Sequence, residues 1–241
     1  NNLVLLGDPQ QLPQVVNAIH PGGVENSALG HYMGDHEILP SSHGFFLDTT
    51  HRLHPEVNKA VSWLSYNNQL KAKPSNASRF LEGCQPGLTI TPLSHRFNST
   101  SSVEEVEAVL GRLRQLTGAG SLEQSEVLVV SPYNAQVDLL REKLDLAGFN
   151  QVEVGTVDKF QGREAKLVLV SMAASSSEDA PRGVEFLFDR NRLNVAISRA
   201  QVACEIFVSA QLVMANFKGL NELKALSRFI GLFEFAHAGS L

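Results

Sequence analysis

Between Val127 and Val208, short apolar segments alternate with amphipathic segments of helix length, and that alternation constrains the fold more than any other feature. Val127–Val130, Val152–Val157, Leu167–Val170 and Ala203–Val208 have the β-branched, apolar character of strands buried on both faces. Ala135 to Leu146 and Arg192 to Ala200 carry helical spacing between them, and Gly148 is placed to stop the first of these helices. Strands alternating with helices predict a parallel sheet covered on both faces, an α/β architecture. In such sheets ligands bind beyond the carboxyl ends of strands, so the chemistry-bearing residues are expected immediately after the strands.

Upstream the pattern is sparser. Leu3-Val4-Leu5-Leu6 predicts a buried strand ending in the turn Gly7-Asp8-Pro9, and Phe45-Phe46-Leu47 predicts another. Residues 20–46 are rich in Gly, His, Ser and Pro and are expected to be a connector. A helix is expected from Pro55, with Val57, Val61, Leu64 and Ser65 on one face, and Leu88-Thr89-Ile90 is a strand candidate. Ser102 and Glu105 have capping-box spacing ahead of a helix with Val106, Val109, Leu110, Leu113 and Leu116 inward. A last helix is predicted with Leu220, Leu223, Leu226, Phe229, Ile230 and Phe233 on its apolar face.

The 241 residues suffice for one large domain, or a domain and a fragment. A formal charge of −5 excludes a strongly basic nucleic-acid footprint, although a few side chains and backbone N–H groups can still grip phosphates. The two cysteines, Cys84 and Cys204, are far apart in sequence and suggest a reducing compartment without a disulfide framework. No apolar run approaches the roughly 18 residues of a membrane span, so no membrane partner and a cytoplasmic location are expected.

Five polar clusters sit at the predicted element boundaries. The first, Gly7-Asp8-Pro9-Gln10-Gln11-Leu12-Pro13, combines a tight turn with the polar groups of Asp8 and Gln11. The second, His51-Arg52-Leu53-His54-Pro55, places the Arg52 guanidinium before a helix start, where it can reach an anion. His51 and His54 have H-x-x-H spacing but no nearby acidic or thiol third ligand, so no metal site is expected. In the third, Ser131-Pro132-Tyr133-Asn134-Ala135-Gln136, Tyr133 can stack on a base or pack between layers. The fourth runs from Gly155 to Glu164; its Gly162 permits a close backbone approach, and Glu164 can accept hydrogen bonds from a sugar hydroxyl. In the fifth, Arg192, Val195, Ala196 and Arg199 share a helical face that can offer two cations to a phosphate chain.

In this order, GDPQQLP, HRLHP, SPYNAQ, TVDKFQGRE and RLNVAISRA resemble motifs III, IV, IVa, V and VI of superfamily 1 helicases. The resemblance is to the branch that includes the nonsense-mediated-decay helicase and bacterial DNA-processing relatives. Family strings there run G-D-x-x-Q-L, Y-R-M-H-P, T-P-Y-x-x-Q, T-V-D-x-F-Q-G-x-E and R-R-L-N-V-A-L-T-R-A. The resemblance implies a RecA-like, P-loop-NTPase-type second motor domain that uses ATP with Mg²⁺ and a single nucleic-acid strand, DNA favoured over RNA.

It also implies residue roles. Gln11 senses the γ-phosphate and attacking water, Arg52 and Arg199 are arginine fingers, and Glu164 holds the ribose. His51 occupies a position that is often an aromatic stacked on adenine, and Gly162 and Arg192 belong to the nucleotide side. Ser131, Tyr133 and Thr156 face the strand or the interface beside it. No G-x-x-x-x-G-K-[ST] and no Walker B acidic pair occur in the chain, so the phosphate cradle and Mg²⁺ ligands are expected on a first RecA-like domain upstream. Residues 1–36 are then the end of that first domain with a connector, poorly anchored away from their sheet, and 37–241 are the second domain. By itself the chain is expected to be inactive. A non-catalytic binding module with degenerate motifs is the alternative, disfavoured because Arg52, Arg199 and Glu164 are all present. A nuclease is disfavoured by the lack of clustered carboxylates with a lysine.

Overall fold

A computed structural model describes residues 3–12, 27–34, 36–118, 122–160, 162–214 and 219–238. Six strands form one parallel sheet: β3 (Gly87–Leu93), β4 (Val127–Val130), β5 (Glu153–Gly155), β6 (Ala165–Ser171), β7 (Ala200–Ser209) and β8 (Ala236–Ala238). Their order is β5-β4-β6-β7-β3-β8, and every neighbouring pair is parallel. A separate parallel pair joins β1 (Thr49–Thr50) to β2 (Lys71–Ala72).

Strand residues alternate between two cores, as a period of two requires. On one face Leu88, Ile90, Leu128, Val130, Val168, Val170, Cys204 and Ile206 pack under α2 (Pro55–Ser65), α5 (Gly183–Leu187), α6 (Arg190–Ser198) and α8 (Leu220–Gly231). On the other, Val127, Val129, Leu167, Leu169, Ala203 and Phe207 pack under α3 (Val103–Gly118) and α4 (Asn134–Leu146). Most of these side chains are fully buried, each contributing about 1.5–3 kcal/mol of transfer free energy. The expected two-faced parallel α/β sheet is therefore present. Two short helices, α1 (Ala28–Met33) and α7 (Ala210–Val213), complete the set.

The structure corrects several local expectations. Leu3–Leu6 forms no strand and is largely solvent-exposed, since no described strand lies beside it to supply ladder hydrogen bonds. Phe45–Leu47 is likewise irregular, and the strand lies two residues later, where Thr49 and Thr50 find β2. On α8 the buried residues are Ala225, Leu226 and Phe229, while Leu220, Leu223 and Ile230 are exposed. Of the connector expected over 20–46, and of Pro13 and Gln161 in the motifs, parts lie outside the described residues.

Half of the capping box forms. Glu105 N–H donates to Ser102 Oγ (3.2 Å), but Ser102 N–H donates to Gln136 Oε1 (2.8 Å) rather than to Glu105. The Glu105 carboxylate instead turns inward, fully buried, and accepts Ser171 Oγ–H (2.5 Å) and Ala173 N–H (2.8 Å), with His95 Nε2 at 3.2 Å.

Candidate nucleotide and strand sites at opposite ends of the sheet

Arg52 leaves β1 with its N–H donating to Thr50 Oγ1 (3.2 Å). Its segment is pinned from several sides. His54 N–H donates to the Gln201 carbonyl (2.9 Å), and the His54 ring accepts Glu56 N–H (3.1 Å), capping α2. Arg79, which sequence reasoning did not single out, donates to the backbone carbonyls of both His51 and Arg52. Held this way, the Arg52 guanidinium donates from Nε to Glu164 Oε2 (2.5 Å) and from NH1 to the Ser198 carbonyl (3.0 Å) at the end of α6.

Glu164 and Arg199 reach the same corner because Ala165 and Ala200 are partners across β6 and β7. The second Glu164 oxygen accepts Gln201 Nε2–H (2.8 Å), another contact with no sequence signal. Burial works against the Glu164 charge, but hydrogen bonds from Arg52 and Gln201 and the Arg52 charge outweigh it, holding the carboxyl below the ordinary glutamate range. Arg199 is almost wholly buried; burial, then the neighbouring Arg52 charge, lowers its pKa, with Glu164 opposing. Its NH1 donates to the Arg163 carbonyl (3.2 Å), and its Nε has no partner among the described residues. A buried guanidinium donor without a partner is costly and suits an incoming anion. His51 is exposed beside this corner.

Three of the expected nucleotide residues thus converge, and three do not join them. Arg192 lies at the opposite end of α6, about 10 Å along the axis from Arg199. There it pairs with Asp158 (3.1 Å) and lies 4.6 Å over the Phe186 ring, away from the corner that holds Arg199. Gly162 has open space where a Cβ would stand, and its positive φ of 84° favours glycine. Gln11 donates from Nε2 to Asp8 Oδ2 (2.9 Å).

The position of the corner also departs from expectation. Glu164 and Arg199 precede β6 and β7, so the arginine cluster is at the amino end of the sheet. Ser131 and Thr156 follow β4 and β5 at the carboxyl end, roughly 20 Å away along a seven-residue strand. Ser131 and Tyr133 are buried, and neither Ser131 Oγ nor Tyr133 OH has a partner among the described residues. The Tyr133 ring packs against Phe186 (5.9 Å between centroids), on which the exposed Arg182 guanidinium stacks at 3.6 Å. Tyr133 packs between layers, and burial raises its phenol pKa. Thr156 is half-buried and its carbonyl accepts Lys159 N–H (3.1 Å). Among the described residues no three His, Cys, Asp or Glu side chains gather as metal ligands, and no helix is long and apolar enough to cross a membrane.

Comparison with known proteins places this geometry in a family. The model of the family described as "AAA domain" matches residues 24–211. The chain is 31% identical over 226 residues to the DNA polymerase alpha-associated DNA helicase A of Schizosaccharomyces pombe, covering 83% of this chain and 32% of that protein. It is 30% identical over 223 residues to the DNA-binding protein SMUBP-2 of Rattus norvegicus, covering 82% and 21%. To the 3'-5' exoribonuclease HELZ2 of Homo sapiens it is 29% identical over 228 residues, covering 83% and 8%. The chain therefore spans less than a third of the length of each of these relatives. The matched family model shows that the chain belongs to the AAA-domain family, and its relatives agree with the resemblance of its ordered motifs to motifs III to VI of superfamily 1 helicases.

Proposed function

We propose that the chain supplies the arginine half-site of an ATP-driven motor that translocates along, and unwinds, nucleic acid. The carrying observation is the convergence of Arg52, Glu164 and Arg199 from three separate elements on one corner at the amino end of the sheet. ATP with Mg²⁺ supplies the scissile phosphoanhydride, and its phosphate cradle and metal ligands belong to a first RecA-like domain, because this sequence holds no G-x-x-x-x-G-K-[ST].

The Arg199 Nε, without a partner among the described residues, fits an anionic group arriving at that corner. Arg199 and Arg52 place positive charge where negative charge spreads in phosphoryl transfer, a contribution of roughly 10³–10⁵ in rate for an arginine finger. Glu164 orients Arg52 and is the acceptor offered to a ribose hydroxyl when the pair opens. Gln11 takes the phosphate-sensing role, His51 stands beside the base, and Gly162 shapes the loop before Glu164. Arg192 is moved by its contacts to the strand side. There the half-buried Thr156 meets the strand while the buried Ser131 and Tyr133 support the surface beneath it, and we assign the strand as single-stranded DNA in keeping with two of the three relatives' names. Residues 1–36 are assigned to the end of the first domain and 37–241 to the second. Two buried free cysteines suit a reducing, cytoplasmic setting.

The test uses a polypeptide carrying both this chain and a phosphate-binding loop. Arg199→Ala is expected to lower single-strand-stimulated ATP turnover by roughly 10³-fold or more. Unchanged turnover removes the assignment. Stimulation by single-stranded RNA but not DNA reverses the choice of strand.

A further inference from the structure

We infer that Tyr66 is a positioning residue that ties the Gln11 turn to the arginine-bearing helix α6, an inference resting on the motor reading above. Tyr66 closes α2 and lies outside all five motif strings. Its phenol donates to Asp8 Oδ2 (2.5 Å), the same oxygen that accepts Gln11 Nε2–H (2.9 Å). The phenol oxygen in turn accepts Asn194 Nδ2–H (3.2 Å) from the buried side of α6, and Asn194 Nδ2 also donates to the Gln10 carbonyl (2.8 Å). Gln10 N–H is held by the other Asp8 oxygen (3.0 Å).

One hydroxyl therefore sits between the turn that carries Gln11 and the helix that ends at Arg199. Burial, then the Asp8 charge, pushes the Tyr66 pKa well above its ordinary value, so the phenol remains a donor at any working pH. Leu3–Leu6 forms no strand pairing among the described residues, so these bonds, with Gln10 Nε2 donating to the Glu37 carbonyl (2.7 Å) and Leu12 packing against the core, hold the turn against the domain. A displacement of α6 is thereby transmitted to Asp8 and Gln11 through a chain of hydrogen bonds with charge at one end.

Tyr66→Phe removes the hydroxyl and keeps the ring against Phe46. In the 241-residue chain, amide exchange at Gln10 and Gln11 is expected to quicken by about tenfold, while amides of β6 and β7 keep their rates. Unchanged exchange at Gln10 and Gln11 overturns the inference, whatever the motor does. In the polypeptide with the phosphate-binding loop, Tyr66→Phe is expected to lower strand-stimulated kcat several-fold with the KM for ATP little changed, and to add little to Gln11→Ala. Losses that multiply in the double variant also overturn it. If Gln11→Ala alone leaves turnover intact, the phosphate-sensing role fails, and the exchange result alone decides whether Tyr66 positions the turn.

Discussion

Ala165 and Ala200 are partners across β6 and β7, and that register sets Glu164 and Arg199 side by side at the amino end of the sheet. Arg52 arrives there from β1, outside the main sheet, and its guanidinium pairs with the Glu164 carboxylate. Arg52, Arg79 and Arg199 outnumber the Glu164 carboxylate at this corner, so it carries an excess positive charge beside a buried donor that has no partner among the described residues.

Glu164→Gln tests how much that carboxylate stabilises the fold. Both partners are substantially exposed, so the pair is worth about 0–1 kcal/mol and the melting temperature should fall only slightly at neutral pH. The folded carboxyl lies below the ordinary glutamate pKa of about 4.3. Its contribution is therefore fully present above that value and is lost as pH falls through the lower folded value. Melting curves of the two proteins should differ at pH 7 and converge in strong acid.

Arg112 and Glu205 form the more consequential ion pair, with Arg112 Nε 2.7 and 2.9 Å from the two carboxylate oxygens and NH2 2.6 Å from one. Arg112→Ala strands a nearly buried carboxylate in a central strand and should cost about 3–5 kcal/mol. Arg112→Met with Glu205→Leu should recover most of that loss, measured by urea unfolding. Cys84 gives a second readout. Burial, then the Glu205 charge, pushes its thiol up to about 11, so thiol alkylation at pH 8 should be slow and slower still in Arg112→Met.

Gln136 joins three elements: Nε2 donates to the Ser102 carbonyl (3.1 Å) and Ser171 Oγ (2.8 Å), while Oε1 accepts Ser102 N–H. Gln136→Leu keeps the volume but leaves the buried Ser102 N–H unpaired, at about 1–3 kcal/mol, and removes one of two partners from the Ser102 carbonyl and from Ser171 Oγ. A melting temperature lowered by several degrees is expected, at roughly 2–4 °C per kcal/mol for a chain of this size.

Tyr133→Phe should behave in the opposite sense. The hydroxyl is buried without a partner among the described residues, so its removal relieves a desolvation cost and the melting temperature should hold or rise. If that hydroxyl meets the strand, single-stranded DNA affinity of the motor falls several-fold in the same variant. A fall in melting temperature would show that the hydroxyl is bonded within the fold.

The alternation from Val127 to Val208 was enough to place β4, α4, β6, α6 and β7 within a few residues, because burial on both faces demands continuous apolar strands. The motif strings likewise nominated Arg52 and Arg199, whose guanidinium groups suit anions, and Glu164, whose carboxylate suits a sugar hydroxyl. Leu3–Leu6 and Phe45–Leu47 misled because apolarity makes a strand only where a neighbouring strand supplies hydrogen bonds, and none is described there.

What the sequence determined by itself was the class of sheet, the family and the corner's three ionic residues, all carried by local pattern. Tertiary structure alone decided that Arg192 pairs with Asp158 and that Tyr133 packs inward. It also decided which end of the sheet holds the arginines, and it recruited Arg79, Gln201 and Tyr66. The reason is physical: partners such as Arg52 and Glu164, 112 residues apart, meet only through strand register and helix packing, which no local spacing encodes.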